Sequence, residues 1–251
     1  MIQKDMDGYA VRVAYFIPLK QFPKPFTIKP MYVHLTVHSA YSLQEGLATP
    51  AEFVRAAHEF GMTALGLTDH RLLTGAIEFV SACRQKGIQP VVGLEIDIAS
   101  GPLHLLATSL TGWSNLCRLS SALTLQDDPE KPCSLDLLSS YSAGLIALSN
   151  ELDPLTEIFR DRLYVALRDP NSAPALADHA RKLGLPTVVT HPVYYLMPEQ
   201  ATLQRALTAI RLNQPIATLS QQAQSPADAY FIHPQEMERR FRDFPEALAA
   251  T

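Results

Sequence analysis

The chain has 251 residues, 47% of them hydrophobic and 18% charged, which is the composition of a globular protein with room for one α/β barrel or two small domains. Its net charge of −4 and pI near 6.0 exclude a free-standing nucleic-acid grip, which needs a basic face. No apolar run reaches membrane-spanning length, and the N-terminus lacks a signal-peptide pattern.

The three cysteines, Cys83, Cys117 and Cys133, are odd in number and show no Cys-x-x-Cys spacing. They read as reduced thiols of a cytoplasmic protein. Residues 1–30 form a preamble of unassigned role, with a candidate strand from Val11 to Pro18. Met31 to His38 alternates, and reads as a strand with Tyr32, His34, Thr36 and His38 on one face. His34 is expected to be a packed, hydrogen-bonded histidine. His38, at the strand end, stands evenly between a ligand and a structural residue.

Thr49-Pro-Ala-Glu52 opens a helix with a capping box, and Gly61 stops it. Thr63-Ala-Leu-Gly-Leu-Thr-Asp-His70 follows. It is an apolar strand, covered on both faces, that ends in an acid and an imidazole. A helix from Gly75 to Lys86 leads to the strand Pro90–Ile98, where Glu95 and Asp97 interrupt an apolar run. An acid in such a place is costly unless paired or bound to metal, and Glu95 reads as the functional one. After a turn at Gly101-Pro102, the strand Leu103–Ala107 carries His104. Further strands are expected at 144–149, 163–167 and 185–190, with helices at 112–123, 173–183 and 199–212. Strands alternate with helices, so right-handed crossovers over a parallel sheet are expected. Six or seven such units fit a closed or distorted barrel better than an open sheet. No dinucleotide or phosphate-loop glycine pattern is present.

His38, Glu45, His70, Glu95 and His104 stand at consecutive strand ends or in the loops behind them. Imidazole and carboxylate groups of this kind suit a divalent ion such as Zn, Mn or Mg. Such ions can activate water and stabilise a phosphoryl transition state.

Several segments then resemble one family. They are His34-Leu-Thr-Val-His-Ser-Ala-Tyr-Ser-Leu-Gln-Glu-Gly46, Ala64-Leu-Gly-Leu-Thr-Asp-His70, Gly75-Ala-Ile-Glu-Phe79, Pro90-Val-Val-Gly-Leu-Glu95, His104-Leu-Leu, Asn115-Leu-Cys-Arg-Leu119 and Gly144-Leu-Ile-Ala-Leu-Ser149, with the tail from Phe231 to Thr251. Residues 31–251 resemble the polymerase-and-histidinol-phosphatase (PHP) domain at the start of the bacterial DNA polymerase III alpha subunit. The resemblance implies a distorted (βα)7 TIM-like barrel over 31–212 with a trinuclear metal site at the strand ends. It also implies that 213–251 corresponds to the connection toward the polymerase palm, a part whose catalytic acids this sequence does not contain. Carried across by residue, the metal ligands are His38, Glu45, His70, Glu95 and His104, with Glu151 and His191 as additional candidates. The first histidine of the opening pair is replaced by Thr36, and the closing Asp-x-His falls on Pro192 and Tyr194. The implied function is that of a replication-associated PHP protein with a partly degenerate site, fewer than three divalent metal ions and no polymerase centre of its own. Its expected partners are a polymerase body or other replisome subunits, with DNA met only indirectly and no membrane. The alternative is a free-standing metal-dependent phosphoesterase or 3′–5′ exonuclease.

Overall fold

The structure is a computed structural model that describes residues 31–128, 131–220 and 225–251. The preamble and its candidate strand at Val11–Pro18 lie outside the described residues. In chain order the regular elements are α1 (Pro50–Glu59), β1 (Ala64–Leu67), α2 (Ala76–Lys86), β2 (Gln89–Ile98), β3 (Gly101–Ala107), α3 (Leu110–Thr124), α4 (Leu135–Ser140), β4 (Leu145–Ser149), α5 (Leu155–Phe159), β5 (Leu163–Leu167), α6 (Ala173–Leu183), β6 (Thr187–Val189), α7 (Ala201–Arg211), α8 (Pro234–Arg240) and α9 (Pro245–Ala249).

The helix ends follow local chemistry. Thr49 and Glu52 form the reciprocal capping box at the start of α1, which satisfies two backbone donors that the helix itself cannot. α2 and α6 end at Gly87 and Gly184, both left-handed, a conformation that glycine adopts without a Cβ penalty.

The six strands form one mixed sheet in sequential order, β1 to β6. β1–β2, β4–β5 and β5–β6 pair in parallel, whereas β3 runs antiparallel to both β2 and β4. The expected all-parallel sheet is therefore corrected at β3. Only Ala99 and Ser100 separate β2 from β3, and so short a link joins antiparallel strands alone. Gly101 and Pro102, expected to be the turn, already lie in β3.

The expected strand over Met31–His38 is also corrected. It is extended but forms a single regular bridge, Val37 with Val193. Gly66 N–H donates to the carbonyl of His34 and Thr68 N–H to that of Val37. Three residues on one side thus span two on the other, and this extra residue breaks the ladder as a bulge does. The opposite edge of the same segment accepts from Val193 N–H through Thr36. The segment therefore bridges β1 and the chain after β6, curling the sheet. Gly66 permits this approach, since a Cβ there would lie 2.5 Å from the Leu35 carbonyl oxygen.

Strand alternation then sorts side chains between two layers. Leu94, Ile96, Leu103, Leu105, Leu145, Ala147, Leu163 and Val165 face outward into the main core with α3 and its neighbours. Val33, Leu35, Leu106, Leu148, Ala166 and Val188 face inward and fill the hollow of the sheet. Glu95 and His104 belong to the inward set, directly opposite each other across the β2–β3 pair. Among the described residues no helix is long and apolar enough to cross a membrane.

Candidate metal centre

The β2–β3 register decides the first half of the site. Glu95 and His104 are cross-strand partners, and His38 enters from the bulged segment. His38 Nε2 donates to Glu95 Oε2 at 2.8 Å. His104 Nε2 lies 2.7 Å from the same oxygen, without the alignment of a full hydrogen bond. One atom from each of the three residues falls within 4.8 Å of the others, and all three residues are buried. Burial would raise the Glu95 pKa, but the neighbouring His38 and His104 rings hold it well below the usual carboxylate range. Burial would lower that of His38, but the Glu95 carboxylate outweighs it and the net shift is upward. For His104 burial wins, and its pKa falls.

The remaining nitrogens of the two histidines differ. His38 Nδ1 is buried with no hydrogen-bond partner among the described residues. His104 Nδ1 faces Arg168 Nη2 at 3.2 Å.

The second half is built around His70. Its Nδ1 donates to Glu45 Oε1 at 2.9 Å and its Nε2 to Asp97 Oδ2 at 2.8 Å. With a carboxylate at each nitrogen, the ring is an imidazolium. Burial works against the charge, but the two hydrogen bonds and the Glu45 and Glu95 charges raise its pKa to about 10. Asp97 is held low, chiefly by His70. Arg211, at the end of α7, places Nη1 3.6 Å from Glu45 Oε1. A cavity of about 210 Å³ opens between the two halves, lined by Glu45, His70, Glu95, Asp97, Tyr194 and Arg211 among others.

Five of the residues expected from sequence thus gather in two adjoining clusters. The additional candidates do not join them. Glu151 is exposed, and its backbone exchanges hydrogen bonds with the Ser149 hydroxyl. His191 is buried, with Nε2 2.9 Å from the Asp228 carbonyl oxygen. His34 is a packed histidine, as expected, with Nε2 2.8 Å from the Ile232 carbonyl oxygen and its ring against Phe231. Asp69, which ends the apolar strand, is tied to the loop before α1. It accepts from Ser39 N–H, Ser39 Oγ and Ser42 Oγ.

Arg168 was not read from the sequence, and Asp97 and Tyr194 were named there without these roles. Asp97 shares a strand face with Glu95, so the period of two could have found it. Arg168 is the residue after β5, a position the strand-end rule marks. Tyr194 stacks on His38 with ring centroids 4.4 Å apart, and nothing in its local sequence signals this.

The model of the PHP domain family matches residues 34–188, more than half of the chain. An error-prone DNA polymerase of Symbiobacterium thermophilum is 32% identical over 264 residues, covering 88% of this chain and 24% of that protein. The DNA polymerase III subunit alpha of Bacillus subtilis is 31% identical over 252 residues, covering 88% of this chain and 22% of its own length. The chain thus spans about a quarter of these curated relatives. Among solved structures, a two-domain Bacteroides vulgatus protein described as containing a predicted PHP-like metal-dependent phosphoesterase superposes with a TM-score of 0.49 at 15% identity, covering 86% of this chain and 64% of that one. On the family match over 34–188, this chain belongs to the PHP domain family.

Proposed function

We propose that this chain is a PHP module of DNA replication, related to the polymerase III alpha subunit, with a reduced metal centre that takes one divalent ion at His38, Glu95 and His104. The observation that carries this reading is the convergence of those three buried side chains on one point, while the other expected ligands are engaged elsewhere. The donor set fits. Two imidazole nitrogens and a carboxylate oxygen are the ligand types of zinc and its neighbours, and three protein ligands leave a position open. Such an ion supplies Lewis-acid polarisation of a phosphoryl oxygen. His70 stands outside this trio, with its two nitrogens facing Glu45 and Asp97. We take the fold to be the family's distorted barrel, with residues 33–38 in the place of a seventh strand, and residues 213–251 to be the connection toward a polymerase palm. The polymerase relatives support a polymerase body or another replisome subunit as the partner, and the net charge of −4 supports only indirect contact with DNA.

One observation favours the alternative, a metal-dependent phosphoesterase or 3′–5′ exonuclease. The cavity of about 210 Å³ reaches Glu95 and is flanked by Arg211, and with a divalent ion at Glu95 offsetting the Glu45, Glu95 and Asp97 carboxylates it would take a phosphate group. Hydrolysis of a phosphate monoester and of 3′-labelled DNA, each with added Mn²⁺ or Zn²⁺, separates the two. Turnover that is lost in both H38A and E95A would put the enzyme first. No turnover by a chain that carries one ion and binds a polymerase body would support the replication module.

A further inference from the structure

Arg168 lies beside the metal group and in contact with it. Its guanidinium Nη2 is 3.2 Å from His104 Nδ1. A guanidinium only donates, so Nδ1 must offer its lone pair and the ring proton must sit on Nε2. That places the proton beside Glu95 Oε2, 2.7 Å away. Nδ1 then meets a donor, whereas Nε2 faces the Glu95 oxygen without the alignment of a full hydrogen bond.

This arrangement opposes metal binding. A histidine that ligates through Nε2 carries its proton on Nδ1 and gives it to an acceptor, commonly a carboxylate or carbonyl. At His104 that proton would point at another N–H donor. For His104 to ligate through Nε2 without two N–H groups facing each other, Arg168 would have to move.

A neighbouring cavity gives the guanidinium room to move. Arg168 lines this cavity of about 620 Å³, together with Arg211 and Tyr194. Arg240 borders it too, but its charge is taken up by Asp228 and Glu236. Arg168 has no ion pair among the described residues, and Arg211 has only the 3.6 Å contact with Glu45. An oxyanion in this cavity would receive both guanidinium groups.

We propose that Arg168 couples an oxyanion to the metal group: seated on His104 it keeps the trio closed, and an oxyanion in the neighbouring cavity draws it away and opens the trio to a divalent ion. This rests on the one-metal reading above and adds its regulation. By linkage, each ligand tightens the other by the same factor.

The test titrates Co²⁺ into the full chain with and without inorganic phosphate, read by cobalt absorption and by calorimetry. In the wild type, phosphate should tighten Co²⁺ by about tenfold or more, the usual size of coupling between sites. R168Q, which offers His104 an acceptor, and R168A, which removes the donor, should bind Co²⁺ about as tightly without phosphate as the wild type does with it. Neither should respond further. Imidazole ¹⁵N shifts of the metal-free wild type should show His104 protonated at Nε2, with H104A providing the assignment. A proton on Nδ1 overturns the proposal, as does an equal phosphate effect in wild type and variants. Wild-type affinity equal to that of both variants overturns it and leaves the one-metal centre standing. No cobalt in any protein overturns both. Thermal melts confirm that each variant is folded.

Discussion

The phenol ring of Tyr194 lies flat on the imidazole of His38, their planes within 10° and their centroids 4.4 Å apart. The resemblance read from the sequence implies a metal ligand at the position of Tyr194, and the ring there braces His38. Its phenol is a poor ligand here, because burial and the nearby Glu95 and Glu45 charges raise its pKa well above normal. Restoring the ligand types with P192D/Y194H should therefore raise the metal bound per chain above that of the wild type. Mass spectrometry of dialysed protein reads this directly, and an unchanged count would refute it.

Glu95 is the counter-charge for His38, and that makes its loss pH-dependent. The Glu95 carboxyl is held low in the folded chain, so its contribution is present above its ordinary pKa and fades in acid. His38 is held high, so its contribution is full below about 6.5 and fades as pH rises. E95Q should cost on the order of 3 kcal/mol near pH 6, since it strips the partner from a buried charge, and less at pH 9. Urea unfolding at the two pH values measures the difference.

His70 gives a wider window. Its folded pKa of about 10 lies above the ordinary 6.5, so the bridge from Glu45 to Asp97 stabilises fully below pH 6.5 and weakens steadily up to pH 10. The melting temperature of the wild type should fall across that range more steeply than that of H70Q. Parallel slopes would show that the bridge does not hold a charge.

Asp69 stands next to His70 but serves the loop. Its carboxylate gathers one backbone and two hydroxyl donors from Ser39 and Ser42. D69A should cost about 2–3 kcal/mol by leaving these buried donors unpaired, yet keep metal at His38, Glu95 and His104. Loss of metal in a folded D69A protein would assign it a different role.

The sequence carries the parts of this fold that depend on near neighbours. The Thr49–Glu52 box, the stops at Gly61, Gly87 and Gly184, and the inward face of β2 are all set within a few residues. The direction of β3 was legible in the short link around Gly101-Pro102, and the helix–strand alternation elsewhere masked it. The bulge in residues 34–37 was hidden because it appears only against Gly66 and Thr68. Within the site, His38, Glu95 and His104 were legible as chemistry at strand ends. The fate of His191 depends on Asp228, 37 residues further along, and no local pattern reports such a contact. The same holds for Arg168 on His104, which are 64 residues apart.

The most direct measurement is the metal content of the full chain after dialysis against Zn²⁺ or Mn²⁺ in phosphate-containing buffer, beside H38A and E95A. One ion per chain, lost in both variants, is the expected result. Absence of metal, or a full complement of three ions that includes His70, would contradict a reduced centre at His38, Glu95 and His104.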